Sequence, residues 1–299
     1  MNRKNLTAAV LAGLAGVAGI AGTAQAVNIN PDGLGQLLIY PYYTTNAGNL
    51  TVLSVVNTTA NAKAVKVRFL ESENSQEVLD FNLYMSAYDV WTAAVTAQPD
   101  GRMDDSCDDP TDQVDTYCEG PVLVINDDEN TCIVPDFGKM QSFLPFAFAN
   151  DGGTQDHARM NEGHFEIIEM GILTDEGFDP EDAATHAKIG DDGWGPDCDT
   201  LNDAWSDPND AVAGDEGEWL LDATEGIGAP NGGLFGGAGI VHPADGAMHT
   251  YDATALNGWS VSGFDGFFSN HTNPGNTKPS LDSGDNMEAA VFLDNGDVF

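Results

Sequence analysis

Basic residues are scarce: ten Lys and Arg stand against 48 Asp and Glu in 299 residues, a formal net charge of −38. A surface of that sign repels nucleic acid and anionic lipid, so neither is an expected partner. It also repels itself, which destabilises a compact chain unless salt or divalent cations screen it; at about 1 M salt the screening length is only about 3 Å. The composition fits saline or calcium-rich surroundings, and equally a demand for solubility alone. Catalytic patterns are missing as well. The chain has no GxSxG, SxxK or HExxH and no Gly/Lys phosphate loop, which leaves the common nucleophile, zinc-protease and nucleotide chemistries without their residues. It has no CxxC for zinc and no DxDxDG for an EF-hand. Among 48 acids, carboxylate pairs arise by coincidence, so a glycosidase-type pair carries no specificity. The expected class is therefore not an enzyme, and a hydrolase built on an Asp/Glu pair is the weakest of the alternatives.

One apolar run is present, at the start. In "MNRKNLTAAVLAGLAGVAGIAGTAQA", Arg3 and Lys4 precede a Gly-rich apolar stretch and Ala24-Gln25-Ala26 offers small residues for cleavage. Residues 1–26 read as a secretory signal peptide. A spanning helix needs about 20 strongly apolar residues, and no later run supplies them, so no transmembrane segment is expected in the mature chain. Loss of Arg3 and Lys4 takes the net charge to −40. The expected location is extracellular or on the cell surface, with the periplasm as the other exported compartment.

Export places Cys107, Cys118, Cys132 and Cys198 where thiols oxidise, and an even count favours two disulfides. Three pairings are open. Between Cys118 and Cys132, "EGPVLVINDDENT" reads as a strand, a turn and a return strand, which sets Cys132 opposite Val124 and far from Cys118. Cys107 with Cys118 and Cys132 with Cys198 is the expected arrangement. The first bond would close "DDSCDDPTDQVDTYCEG" into a solvated loop, stabilising by about 3 kcal/mol in the chain-entropy account. No cofactor is required. Calcium is the one candidate ion, with Asp104, Asp105, Asp108, Asp109 and Asp112 in that loop and Asp127 and Asp128 in "INDDEN" as oxygen donors. His164 and Glu166, two residues apart in "MNEGHFEIIE", are expected on a half-exposed strand surface and not at a metal.

Strand patterns fill much of the rest. "LLIYPYYT" is rich in strand formers, but Pro41 cannot donate to a ladder. Leu37, Leu38, Ile39, Tyr40, Tyr42 and Tyr43 are therefore expected on an edge strand open to a partner. "NLTVLSVVNTT" reads as a strand buried on both faces. In "KAVKVRF", Val65, Val67 and Phe69 point one way and Lys66 and Arg68 the other, where they and Lys63 are expected to pair with acids on an exposed face at under about 1 kcal/mol each. Leu79, Phe81, Leu83 and Met85 share a face of "VLDFNLYM", and "AYDVWTAAV" supplies a further strand. "HFEIIEMGIL" alternates and then slips at Ile167-Ile168, as a bulge or short helix would make it do. The expected fold is all-β and mainly antiparallel. Residues 27–97 form immunoglobulin-like sandwich strands and 98–136 an acidic disulfide-stapled insertion. Residues 137–299 form a second β-rich part with acidic loops and Gly-rich turns that can complete the same sandwich. Trp194, Trp205, Trp219 and Trp259 are candidates for glycan stacking, with core packing the favoured role.

Several segments carry a resemblance: "LLIYPYYTT", "SVVNTT", "KAVKVRFLES" through "VLDFNLYMSAYDVWTAAV", "NTCIVP", "RMNEGHFEIIEMG", "GPDC" and "KPSLDSGD". The chain resembles a family of bacterial exported proteins labelled cell-surface proteins, whose chemistry is uncharacterised. That resemblance implies location and β architecture and no activity. Cys132 and Cys198 fall in the resembling segments, while Cys107 and Cys118 do not. Members continue beyond a segment like "EAAVFLDNGDVF", which implies a longer natural chain. The expected function is a non-enzymatic cell-surface or extracellular protein of assembly or adhesion, with cell-envelope or self-assembly partners. A calcium- or glycan-binding extracellular module is the alternative.

Overall fold

The computed structural model describes residues 27–97, 120–125, 131–145, 148–185, 195–207, 216–259 and 271–280, and over these the chain is mainly antiparallel β. The strands are β1 (Asn28–Ile29), β2 (Leu37–Thr44), β3 (Leu50–Asn57), β4 (Lys63–Glu71), β5 (Glu77–Met85), β6 (Val90–Thr96) and β7 (Val122–Ile125). They continue as β8 (Thr131–Val134), β9 (Met140–Ser142), β10 (Glu162–Leu173), β11 (Ile227–Gly228), β12 (Leu234–His242), β13 (Ala247–Asp252) and β14 (Thr254–Asn257). Three short helices lie between β10 and β11: α1 (Pro180–Ala184), α2 (Cys198–Asp203) and α3 (Glu218–Leu221). One sheet runs β1-β14-β2-β10-β4-β5-β8 with β11 also on β10, eight strands in all; the six-stranded sheet runs β13-β12-β3-β6-β7-β9. The late strand β10 lies between β2 and β4, and β12 lies beside β3. Early and late parts of the chain thus build both sheets jointly.

Period-two alternation makes each strand offer one apolar row, and two such faces close on each other. Val65, Val67, Phe69, Phe81, Leu83, Phe165 and Ile167 of the larger sheet meet Leu53, Val55, Trp91, Val95 and Leu123 of the smaller one in a single buried cluster. Aromatic rings give it shape: Phe165 stacks on Tyr40 at 4.2 Å and on Phe69 at 4.8 Å. Tyr40 also crosses the core to donate to the Ser54 carbonyl at 2.7 Å. It passes so close to β12 that a Cβ on Gly236 would lie 1.9 Å from the Tyr40 hydroxyl, which explains why a glycine interrupts that strand.

The larger sheet is covered on its other side too. Met170, Leu173, Tyr84 and Ala64 pack against Ala183, Ala184, Leu201 and Trp219 from the helical stretch. The described acidic residues 174–185, 195–207 and 216–225 therefore form a roof with an apolar underside. Because β10 is central and buried on both faces, Ile167 faces the inter-sheet core while Ile168 joins Leu37 and Trp259 outside it. A bulge at Glu169/Gly171 completes the apparent slip.

Three further expectations are corrected by this topology. β2 is not an edge along its whole length: residues 37–39 pair with β14 on one side and β10 on the other, residues 40–44 have β10 alone as a ladder partner among the described residues, and Leu37, Leu38, Tyr40 and Tyr43 are fully buried. β3 is not buried on both faces; Thr51, Leu53, Val55 and Asn57 are buried, while Leu50, Val52, Ser54 and Val56 are half-buried. And β7 and β8 do not form a hairpin, since β7 pairs with β6 and β9 and β8 pairs with β5 of the other sheet. Cys132 is bonded to Cys198, as expected, but the bond joins β8 to the first residue of α2 and so staples the roof to its sheet. Replacing both by Ser in Cys132→Ser/Cys198→Ser is expected to cost about 2–4 kcal/mol, read as a lower urea midpoint. An unchanged midpoint would show that the roof holds without its staple.

Candidate functional site

The two outer faces of the molecule differ in chemistry. On the roofed side, the side chains of β4 that turn from the core end in buried charges. Lys66 lies 3.3 Å from Asp80 with no exposure. Arg68 donates to Glu77 at 2.6 Å and also to Glu166, all three buried. At the end of β4, Lys63 meets Glu169 at 2.5 Å, both at zero exposure. These bases pair with acids as expected, but the face expected to be exposed is buried. Burial lowers the Lys63 and Lys66 ammonium groups and raises the Glu77, Asp80 and Glu169 carboxyls, in each case opposed by the partner's charge.

A fourth buried base, Arg159, donates to both oxygens of Glu71 at 2.7 and 2.9 Å and caps the Phe148 ring at 4.2 Å. Glu71 also accepts from the backbone of Glu73, Asn74 and Gln76, closing the loop after β4. Burial pushes its carboxyl up, but Arg159 and those amides outweigh that and hold it below the ordinary range. Under the roof, Trp205 donates to the Tyr84 hydroxyl at 2.8 Å, and Tyr84 lies 2.9 Å from His271 Nε2. His271 Nδ1 lies 2.8 Å from the Ala223 carbonyl, which can only accept. The proton on the ring is therefore at Nδ1, Nε2 accepts from Tyr84, and the imidazole is neutral. Burial brings its pKa down to about 3.

The outer face of the six-stranded sheet has no such cover among the described residues. Its registers align Thr250, Gly239, Val52, Ala94, Val124 and Met140 across six strands, and beside them Asp252, Gly237, Ser54 and Thr92. Small residues in mid-sheet hollow the surface into an open groove of about 710 Å³, with Phe235 and Met248 at its margin. Phe235 is 41 % exposed, Met248 54 % and, further along β6, Val90 50 %. Among the described residues, Asp252 is the one charged residue lining the groove. A Cβ on Gly239 would come within 2.4 Å of the Met248 methyl, so that flexible side chain already leans over the glycine floor. A surface of this kind, whose described polar groups are chiefly the hydroxyls of Ser54, Thr92 and Thr250 and the carboxylate of Asp252, can hold an apolar or uncharged partner.

The residues singled out from sequence are dispersed. Asp104, Asp105, Asp108, Asp109, Asp112, Asp127 and Asp128, with Cys107, Cys118 and Trp194, lie outside the described residues. Glu166 is committed to Arg68, Glu169 to Lys63, and Glu162 accepts from Tyr42. No group of three or more His, Cys, Asp or Glu is placed to hold a metal among the described residues. Trp219 and Trp259 are buried, and Trp205 is packed against Trp219 and His271, so these three are structural and not a stacking platform. Among the described residues no helix is long and apolar enough to cross a membrane. The groove itself went unremarked in the sequence, although a signal was there: β3, β6, β7 and β12 contain no acidic residue in a chain that has 48. Comparison with family models, with curated proteins and with solved structures gives no match to this chain.

Proposed function

We propose that the protein is a non-enzymatic exported protein of the bacterial cell surface or extracellular space, and that it works by association through the uncharged outer face of the six-stranded sheet. The observation that carries this is the contrast in charge. On a chain with 48 acids, a groove of about 710 Å³ bordered by exposed Phe235 and Met248 holds a single carboxylate, Asp252. Exposed apolar patches of this size mark interaction surfaces more often than chance. The Cys132–Cys198 bond and the leader-like residues 1–26 support an exported setting. The architecture is immunoglobulin-like in having two facing antiparallel sheets, enlarged from the usual four and three strands to eight and six.

The test is adsorption of the full chain to cell-envelope fragments, measured by co-sedimentation. Ala94→Glu places a charge at the centre of the face without touching the core, and is expected to weaken adsorption at least tenfold, about 1.4 kcal/mol, with an unchanged circular dichroism spectrum. Equal adsorption by the variant and the parent chain would remove this face from the function.

A further inference from the structure

We infer that the occupant of the uncharged face is a second copy of this chain, stacked face to face about a two-fold axis, with Phe235 of each copy seated over the Gly237–Gly239 floor of the other. This rests on the association surface proposed above and names its partner. Three observations select a copy of the chain over another partner.

The first is charge. Two molecules each carrying −38 repel over most approaches, and the repulsion is least where the facing surfaces carry fewest carboxylates, here Asp252 alone among the described residues of the groove. The described acids of the roof, among them Glu176, Glu181 and Glu218, sit over the opposite sheet. Stacking through the six-stranded sheet therefore sets the two roofs as far apart as the molecule permits. The second is shape. Knob and hole occur on the same face: Phe235 projects, while Gly237, two residues along the same strand, leaves the sheet without a side chain, and the flexible Met248 methyl over Gly239 forms the movable rim of that hole. A two-fold operation brings each knob to the other copy's hole, the self-complementarity that a closed dimer requires. The third is area. Five strands about 4.8 Å apart and about six residues long at 3.4 Å each make a plane of roughly 500 Å² per copy. Stable pairs bury about 800 Å² per partner, so the dimer is a weak one, governed by concentration and promoted by salt.

Sedimentation velocity of the full chain over a concentration series, at about 0.05 M and about 1 M salt, tests this. The expected result is a monomer–dimer equilibrium that tightens at the higher salt. Thr92→Glu and Thr92→Lys, at an exposed position on the Gly237 row about which knob and hole exchange, are each expected to raise the dissociation constant at least tenfold alone, and their equimolar mixture to recover association, because opposite charges then meet across the axis. Ala94→Glu, one row pair along on the same strand, is expected to give the same loss alone should a Thr92 variant fail to fold. A parent chain that stays monomeric throughout, variants that dimerise like the parent, or a mixture that does not recover would each overturn the second copy as occupant. If the parent is monomeric yet Ala94→Glu abolishes envelope adsorption, the face stands and its partner is another molecule; if adsorption is unaffected as well, both fall.

Discussion

Lys63→Met is expected to lower the free energy of unfolding by about 3–5 kcal/mol. The cause is what the substitution leaves behind. Glu169 has no exposure and accepts from Lys63 at 2.5 Å and from the backbone amides of Asn231 and Gly232 at 3.0 and 2.7 Å. With Lys63 gone, two neutral donors remain for a full negative charge in a medium that cannot solvate it. The double variant Lys63→Met/Glu169→Gln removes the charge; because the two amides donate to separate oxygens of Glu169, the single glutamine oxygen keeps one of them and the other is left facing the side-chain NH2. It is expected to return to within about 1–2 kcal/mol of the parent, because replacing both members of a buried pair is far less costly than orphaning one. The single variant also acquires a characteristic pH dependence. Burial already raises the Glu169 carboxyl, and losing Lys63 removes the attraction that opposes it. A folded pKa above the unfolded one means stability is present at low pH and lost as pH rises through the folded value. Urea unfolding at pH 5 and pH 8 should therefore show the defect of Lys63→Met growing with pH. A loss below about 1 kcal/mol at both would mean that the pair is wetter than its zero exposure implies.

Acid is expected to act in the opposite sense through His271. Its folded pKa of about 3 lies below its ordinary value of 6.5, chiefly because of burial, with the Lys66 charge adding to the effect and the hydrogen bond to Ala223 opposing it. A depressed histidine contributes stability that is complete above about pH 6.5 and declines as pH falls toward the folded value, at about 1.4 kcal/mol per pH unit. Between pH 7 and pH 4.5 the parent should lose about 3 kcal/mol relative to His271→Gln, which has no imidazole to charge. The comparison must be between variants, because acid also neutralises carboxylates and relieves the self-repulsion of a chain at −38. Physically, a proton at Nε2 removes the acceptor that Tyr84 uses, and Tyr84 in turn holds Trp205 and stacks on Trp219 at 5.2 Å. Acid should thus loosen the roof before the inter-sheet core, seen as a change in tryptophan fluorescence ahead of the loss of β circular dichroism. Parallel pH profiles for the two chains would exclude His271 as the origin.

The strands were legible because alternation is a local signal. Val65, Val67 and Phe69, or Leu79, Phe81 and Leu83, identify a core-facing row without knowledge of any partner. What covers the opposite row is not local. Lys66 and Arg68 point away from the inter-sheet core, as their spacing requires, and solvent would be their surroundings but for residues far along the chain: Glu166, Asn273 and Thr272 reach the same face of the sheet. Nothing near residue 66 announces them. The roof misleads for a related reason. Its sequence is densely acidic, yet Leu201, Ala183 and Trp219 all face inward, a pattern three short helices present without a full period to display it. Pro41 argued for an edge, and the argument holds only locally: β14 pairs with residues 37–39, so the missing amide falls beyond the shared ladder, where β2 has β10 alone beside it among the described residues. The groove was hidden by being made of what is absent, Gly237, Gly239 and Ala94 contributing space in place of chemistry.

Four of the chain's ten basic residues, Lys63, Lys66, Arg68 and Arg159, lie inside the fold. Enzymes that cut after lysine or arginine need an accessible, extended segment, and at these four positions none is presented while the molecule stays folded. The burial of these four cations thus withdraws four cleavage points from trypsin-like enzymes, leaving Lys139 and Lys278 as the exposed basic residues among those described.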